Sequence, residues 1–292
     1  MKHLKLALAL AVLIQPLPVC TASDMPLKIL AAENVYADIA AQIGGNYVRT
    51  GAVLSNPDQD PHVFEASPSV ARDIKTADVV ILNGAGYDDW MAKLLASSPK
   101  TARVVLNAAQ ITGVKPGENP HLWYDVPRMR VFAAVLTASL SALDPAHQAQ
   151  FTENLRKFEA ELQTLVLQCH DFAAAHPHVP LTASEPVFGY MAAQLGADMN
   201  GLAFQLAIMN NTEPAVSDVA AFEKSLKHHE VKAMLYNAQA GSPSVERLKK
   251  IAIAAGIPVV PVTETEPAHT SYQNWMRQEI SELDKALSGS PQ

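Results

Sequence analysis

Residues 144–175, DPAHQAQFTENLRKFEAELQTLVLQCHDFAAA, decide how this chain is organised. Asp144-Pro145 is a helix-start signal, because the fixed φ of proline suits a first helical turn. Beyond it Phe151, Leu155, Phe158, Leu162, Leu165 and Cys169 recur at steps of four and three, the spacing of one apolar stripe along a helix. Glu153, Arg156, Lys157, Glu159 and Glu161 occupy the other faces. The spacing predicts one helix of roughly 30 residues, or ~45 Å at 1.5 Å per residue. A helix of that length reads as a rigid strut between whatever lies on its two sides.

Outward from this strut, strand-like and helical patterns alternate. On the N-terminal side, residues 27–31, 48–54, 79–83 and 104–107 are short apolar runs, with helical patterns at 36–43, 68–76 and 87–97. Asp125-Val126-Pro127 starts another helix, with aspartate as cap and proline in the first turn, and that helix runs to residue 143. On the C-terminal side, residues 179–182, 232–236 and 258–262 read as strands, with helices at 187–195, 215–227, 245–255 and 272–287. Strands alternating with helices predict parallel sheets covered by helices, an α/β class. The expected division is a leader at 1–22, a Rossmann-like lobe at 23–125, a helical linker containing the strut at 126–178, and a second Rossmann-like lobe at 179–292. No repeat of fixed period and no low-complexity segment is visible.

With 292 residues, 49% of them apolar, the chain can fill two lobes with real cores. The net charge of −7 and the absence of a basic stripe argue against nucleic acid as a partner. Residues 1–22 have the marks of a secretory signal: Lys2 and Lys5, then an apolar run at 6–14 too short to span a bilayer, then Pro16 and Pro18, and small residues before Ser23. Residues 17–20, LPVC, also resemble a lipobox in which Cys20 would carry lipid, although Val19 stands where such signals have Gly, Ala or Ser. No later segment reaches the ~18 apolar residues expected of a membrane helix. The expected location is the periplasm, in soluble form or anchored through Cys20. After cleavage Cys169 is left without a disulfide partner, and a buried, inert thiol on the strut is expected.

Two short turns carry the chemistry. Asp60-Pro61-His62 and Asn119-Pro120-His121 each follow a strand of the βα pattern, so both histidines are expected on loops at one rim of a sheet. Neutral imidazole is the commonest protein ligand for a divalent transition metal. In the second half, Glu185 follows a strand in Thr182-Ala183-Ser184-Glu185-Pro186, and Glu264 follows another in Val262-Thr263-Glu264-Thr265-Glu266. Open α/β sheets place ligands at the C-terminal ends of their strands. Taken singly, each of these residues has a plainer reading: a surface loop for His62, a core histidine for His121, a helix N-terminal carboxylate for Glu185. Glu266 and His269 compete with Glu264 on the same loop. Cys169, His170, His176 and His178, and likewise His228-His229, read as groups at helix C-termini, which the helix dipole favours.

The order of these segments is similar to that of the substrate-binding proteins of ABC importers for zinc and manganese, over nearly the whole mature chain. Residues 60–65, DPHVFE, and 119–123, NPHLW, carry the resemblance most sharply. It implies two α/β lobes joined by a rigid helix, with His62 and His121 as the first two metal ligands, Glu185 as the third and Glu264 as the fourth. The family usually has aspartate at that fourth position, so Glu264 is a departure. Zinc importers of the family often carry a His-rich loop before the second ligand; here residues 108–119 are short and have no histidine.

The resemblance further implies a divalent cargo, manganese or zinc, a cognate ABC permease in the inner membrane, action as a monomer, and no catalysis. Two imidazoles and two carboxylates form a borderline-to-hard donor set, and bidentate carboxylates would suit manganese, whereas zinc binds most such sites more tightly. Two rival readings are a secreted zinc hydrolase, for which Glu266 would be the base, and an adhesin or metallochaperone on the same scaffold. The hydrolase would need an open metal position, and the chain has no His-Glu-x-x-His or Gly-x-Ser-x-Gly.

Overall fold

β1 (Leu27–Glu33) lies between β2 (Val48–Leu54) and β3 (Val79–Leu82), with β4 (Val104–Asn107) beyond β3, all parallel. A second parallel sheet places β5 (Pro180–Ala183) between β6 (Asp198–Asn200) and β7 (Ala233–Asn237), with β8 (Val259–Val262) beyond β7. This computed structural model describes residues 25–56, 64 and 66–289. The expected leader with Cys20, and the expected ligand His62, lie outside the described residues. Val79, Val80 and Ile81 in β3 and Ala233, Met234 and Leu235 in β7 are fully buried, because helices cover both faces of each sheet.

The two sheets share one strand order, β2-β1-β3-β4 and β6-β5-β7-β8. The repeat that no sequence period reveals therefore exists as topology. In each sheet the order reverses between the first and third strands, and that switch point is where open α/β sheets bind ligands.

Of the helices in the first half, α1 (Asn34–Gly44) follows β1 directly, α2 (Pro68–Thr76) and α3 (Asp89–Ala96) flank β3 in sequence, and α4 (Ala108–Thr112) follows β4. The connecting α5 (Val126–Leu143) is capped by Asp125, whose side chain accepts the N–H of Arg128 at 3.1 Å. A 3-10 turn at Pro145–His147 then leads into α6 (Gln148–Ala175), 28 residues or ~42 Å long. The strut thus begins a few residues later than its proline suggests. Phe151, Phe158, Leu162, Leu165 and Cys169 of its stripe are buried and Leu155 is partly buried.

The second half adds α7 (Gly189–Gln194), α8 (Leu202–Met209), α9 (Val216–Lys227), α10 (Pro243–Ala254) and α11 (Tyr272–Leu287). One hydrophobic core runs from Ile39 of α1 through Phe132 of α5 and Leu162 of α6 to Trp275 of α11. The strut is also pinned at both ends. Asn154 Nδ2 donates to the carbonyl of Ile43 at 2.9 Å, and Gln168 Nε2 donates to the carbonyl of Arg277 at 3.2 Å.

Three elements were not expected from sequence. β6 is a three-residue strand between Gly196 and Gly201, a stretch that reads as loop; α4 and α8 are short, and the apolar run of α8 shows no clear helical stripe. α5 also corrects the reading that no later segment is long enough for a membrane. It is long and apolar enough to cross one, but Met129, Phe132, Ala133, Leu136 and Leu140 are fully buried against the rest of the protein.

Candidate metal centre

The segments that leave the C-terminal ends of both sheets meet in one crevice. Asn83 and Gly84 follow β3, His121 lies on the connection after β4, Asn237 is the last residue of β7, and Ser184-Glu185 and Glu264 follow β5 and β8.

His121 is held from two sides. Its Nδ1–H donates to Asn119 Oδ1 at 2.6 Å, and its backbone N–H reaches the same oxygen at 3.1 Å. The Asn119 amide cannot be turned round, because its Nδ2 donates to the carbonyl of Pro186 at 2.7 Å across the crevice. With Nδ1–H given to Asn119, the ring directs Nε2 at Glu264 Oε2, 3.2 Å away. Two acceptors at that distance require a positive charge between them, either a proton or a metal cation. This is the second-shell arrangement that prepares a histidine to ligate a metal. Tyr87 and Trp123 pack edge-on against the ring at 5.9 and 5.5 Å, which excludes water from it.

The loop behind His121 is positioned by a further chain of polar contacts. Tyr36 donates its hydroxyl to Asn83 Oδ1 at 2.5 Å, and Asn83 Nδ2 donates to the carbonyl of Pro120 at 2.9 Å. Asp88 accepts the N–H groups of Asn83 and Gly84 at 2.7 and 2.8 Å. Gly84 sits at φ +78°, and a Cβ there would collide with the Asn107 side chain, so this tight turn requires glycine.

Glu264 and Glu185 are almost fully buried. Glu264 Oε2 accepts the Tyr87 hydroxyl at 2.7 Å, and burial raises the pKa of that phenol well above its ordinary value, so it remains a donor. Glu264 Oε1 accepts Asn237 Nδ2 at 2.5 Å, and Glu185 Oε2 lies 3.3 Å from the same nitrogen. Gln239 fixes the Glu264 loop by accepting the N–H groups of Glu264 and Thr265 at 2.6 and 2.9 Å. An imidazole and a carboxylate thus meet in a buried crevice, with a second buried carboxylate reached through Asn237, and these donor types suit a divalent cation. Among the described residues, no group of three or more His, Cys, Asp or Glu side chains stands close enough to hold a metal ion by itself. Glu185 joins the His121–Glu264 pair through Asn237.

Of the residues singled out from sequence, the structure sets His121 against Glu264 and places Glu185 on the same Asn237 amide nitrogen as Glu264. Glu266 is buried but turned toward Asn34: its N–H donates to Asn34 Oδ1 at 3.1 Å, and Asn34 Nδ2 donates to its carbonyl at 2.7 Å. His269 adopts a left-handed conformation, φ +61°, further along that loop. His176, directly after the strut, has its Nε2 within hydrogen-bond distance, 2.7 Å, of Asp284 Oδ1 on α11. Cys169 is buried, and burial pushes its thiol up to about 11. The supporting residues Tyr87, Asn119, Asn237 and Gln239 were missed. Asn237-x-Gln239 at the end of a strand was the available signal, since side-chain amides there can bridge the loops that leave neighbouring strands.

Several buried acids surround the site. Burial, and the nearby charge of Asp88, raise the pKa of Glu33 well above the carboxylate range, and neither of its side-chain oxygens has a partner among the described residues. Burial likewise lifts Asp88 to about 6 and Glu266 to about 9.

The model of the zinc-uptake complex component A periplasmic family matches residues 29–286. The manganese-binding lipoprotein MntA of Bacillus subtilis is 24% identical over 285 residues, covering 91% of each chain. The manganese ABC transporter substrate-binding lipoprotein PsaA of Streptococcus pneumoniae is 23% identical over 286 residues, 92% of this chain and 91% of its own. Among solved structures, the periplasmic zinc-binding protein TroA of Treponema pallidum matches with a TM-score of 0.76 at 19% identity, covering 90% of this chain and 99% of that one. At that identity the structural likeness speaks for the fold.

Proposed function

The chain belongs to the zinc-uptake complex component A family of periplasmic proteins, and from that premise we propose that it binds one divalent transition-metal ion outside the cytoplasm and hands it to an ABC permease in the inner membrane. The cargo is zinc or manganese, in keeping with the named ligands of the relatives above. His121, Glu185 and Glu264 are its ligands in the crevice, and His62, from the Asp-Pro-His turn, completes the set. The lobes are 23–125 and 179–292, with 126–178 as the linker. The protein acts as a monomer, by holding and releasing its cargo rather than transforming it, and it needs neither nucleic acid nor a catalytic base.

One observation carries this reading: His121 Nε2 faces Glu264 Oε2 at 3.2 Å across the crevice, with the ring proton committed to Asn119 on the far side. A buried acceptor facing a buried acceptor is a place for a cation. Interlobe hydrogen bonds such as Tyr190 Oη to the carbonyl of Asn119, 2.8 Å, and the pinned strut favour small lobe movements over a wide hinge.

The test is metal analysis of the mature protein purified from its native compartment, followed by zinc–manganese competition on the stripped protein. Binding near one ion per chain is expected. Stripped wild-type protein that takes up neither ion at micromolar concentration would end the proposal.

A further inference from the structure

Asn237, at the end of β7, gives one amide nitrogen to both acidic residues: Nδ2 lies 2.5 Å from Glu264 Oε1 and 3.3 Å from Glu185 Oε2. Its orientation is fixed independently of them. Oδ1 accepts the N–H of Gln239 at 3.0 Å, and the backbone N–H of Asn237 donates to Ser184 Oγ at 3.0 Å. Turning the amide over would set its oxygen against two carboxylates and its NH2 against a backbone donor, so the NH2 must face the acids. Asn237 itself is almost fully buried, so no water competes for the amide.

A carboxylate that chelates a cation must turn both oxygens toward it. Asn237 fixes how each carboxylate is turned: it draws Glu264 Oε1 to its own side while Oε2, which also accepts the Tyr87 hydroxyl, faces His121, and it reaches Glu185 Oε2 in the same way. Zinc accepts four ligands in a tetrahedron without loss, whereas manganese prefers six, mostly oxygen, and reaches that number in a closed site by bidentate carboxylates.

We propose that Asn237 is the specificity-determining residue of this site: by holding one oxygen of Glu185 and one of Glu264, it limits each carboxylate to a single bond and favours a four-coordinate divalent cation, zinc, over a six-coordinate one, manganese. This rests on the metal-binding reading above and adds to the general tendency of zinc to bind more tightly. Asn237 acts through the carboxylates and is a positioning residue, not a ligand.

The experiment compares stripped full-length mature wild type with Asn237→Leu, which keeps similar bulk without the donor. The Kd values for zinc and for manganese are measured by chelator competition, and the ligand number of each loaded form by X-ray absorption at the metal edge. The expected results are a wild-type zinc form near four ligands, a wild-type manganese form without chelating carboxylates, and a fall in the Kd(Mn)/Kd(Zn) ratio of about tenfold or more in the variant, the scale of an outer-shell change. A merely structural role would weaken both ions alike and leave the ratio unmoved; that outcome, in a folded variant, overturns the proposal. Should Asn237→Leu fail to fold, the wild-type manganese spectrum decides alone: chelation by both carboxylates overturns the proposal, and single-oxygen bonds uphold it. Wild-type protein that binds neither ion removes the site itself, a failure distinct from either of these.

Discussion

His121 in the first lobe and Glu264 in the second meet with both side chains withdrawn from solvent, 143 residues apart in sequence and 3.2 Å apart in space. The contact joins the two halves of the crevice at the point where a cation would be held. If these atoms hold the cargo as proposed, loss of one partner should be felt in binding before it is felt in folding.

His121→Ala removes the imidazole at this point. Changes one step out from a metal typically cost 10–100-fold in affinity, so loss of the ligand itself should weaken zinc and manganese binding by more than ~100-fold. Chelator competition measures this directly. Full wild-type affinity in the variant would take His121 out of the site.

Tyr87→Phe deletes only the hydroxyl that donates to Glu264 Oε2. The ring keeps its packing against Trp123 at 5.2 Å. Affinity should fall about 10–100-fold while the melting temperature of the stripped protein changes little. The reverse pattern, a large loss of stability with unchanged affinity, would show that the hydroxyl serves the fold instead.

Glu279 makes stability depend on pH. Burial pushes this carboxyl up to about 8, against the pull of hydrogen bonds from Trp275 Nε1 at 2.9 Å and the Thr263 N–H at 3.3 Å. The native state keeps a proton that the unfolded chain releases near its ordinary value of 4.5. Its contribution is therefore fully present below that pH and is lost as pH rises toward 8. Glu266, held up at about 9, and Asp88, at about 6, act in the same direction. Glu279→Gln should flatten part of this slope and stabilise the stripped protein at pH 8 by roughly 1–4 kcal/mol. Urea unfolding at pH 5 and pH 8 checks it; equal slopes in variant and wild type would refute the assignment.

Leu162 lies in the middle of the strut stripe and is fully buried in the core shared by both lobes. Leu162→Ala should cost about 2–5 kcal/mol, the range for a buried leucine truncated to alanine. Because the core is continuous, a single cooperative thermal transition shifted downward is expected. Two separated transitions would mean that the lobes unfold independently.

Cys169 should be silent toward a thiol reagent in the native protein at neutral pH, since its thiol is pushed up to about 11 and is buried beside Met191. It should react fully on denaturation. Rapid native labelling would contradict the burial.

Much of the order of strands and helices followed from local physics: the period of apolar residues marked α6, proline after Ser67 and Val126 marked helix starts, and short apolar runs marked seven of the eight strands among the described residues. The Asn-Pro-His turn and the strand-following glutamates were likewise readable, because residue type and position relative to a strand end are sequence properties. What sequence could not supply was partnership. β6 is recognisable only beside β5, α8 only when packed, and the matching strand order of the two sheets only as topology. Glu264 could not be separated from Glu266 by its neighbours in the chain. In the fold Asn34 is paired with the Glu266 backbone, while Tyr87 and Asn237, 177 and 27 residues distant, hold the Glu264 carboxylate beside His121. Local periodicity is written in the energetics of a few adjacent residues. A buried hydrogen bond between distant segments forms only once the cores have brought them together, and no stretch of chain records in advance which oxygen it will hold.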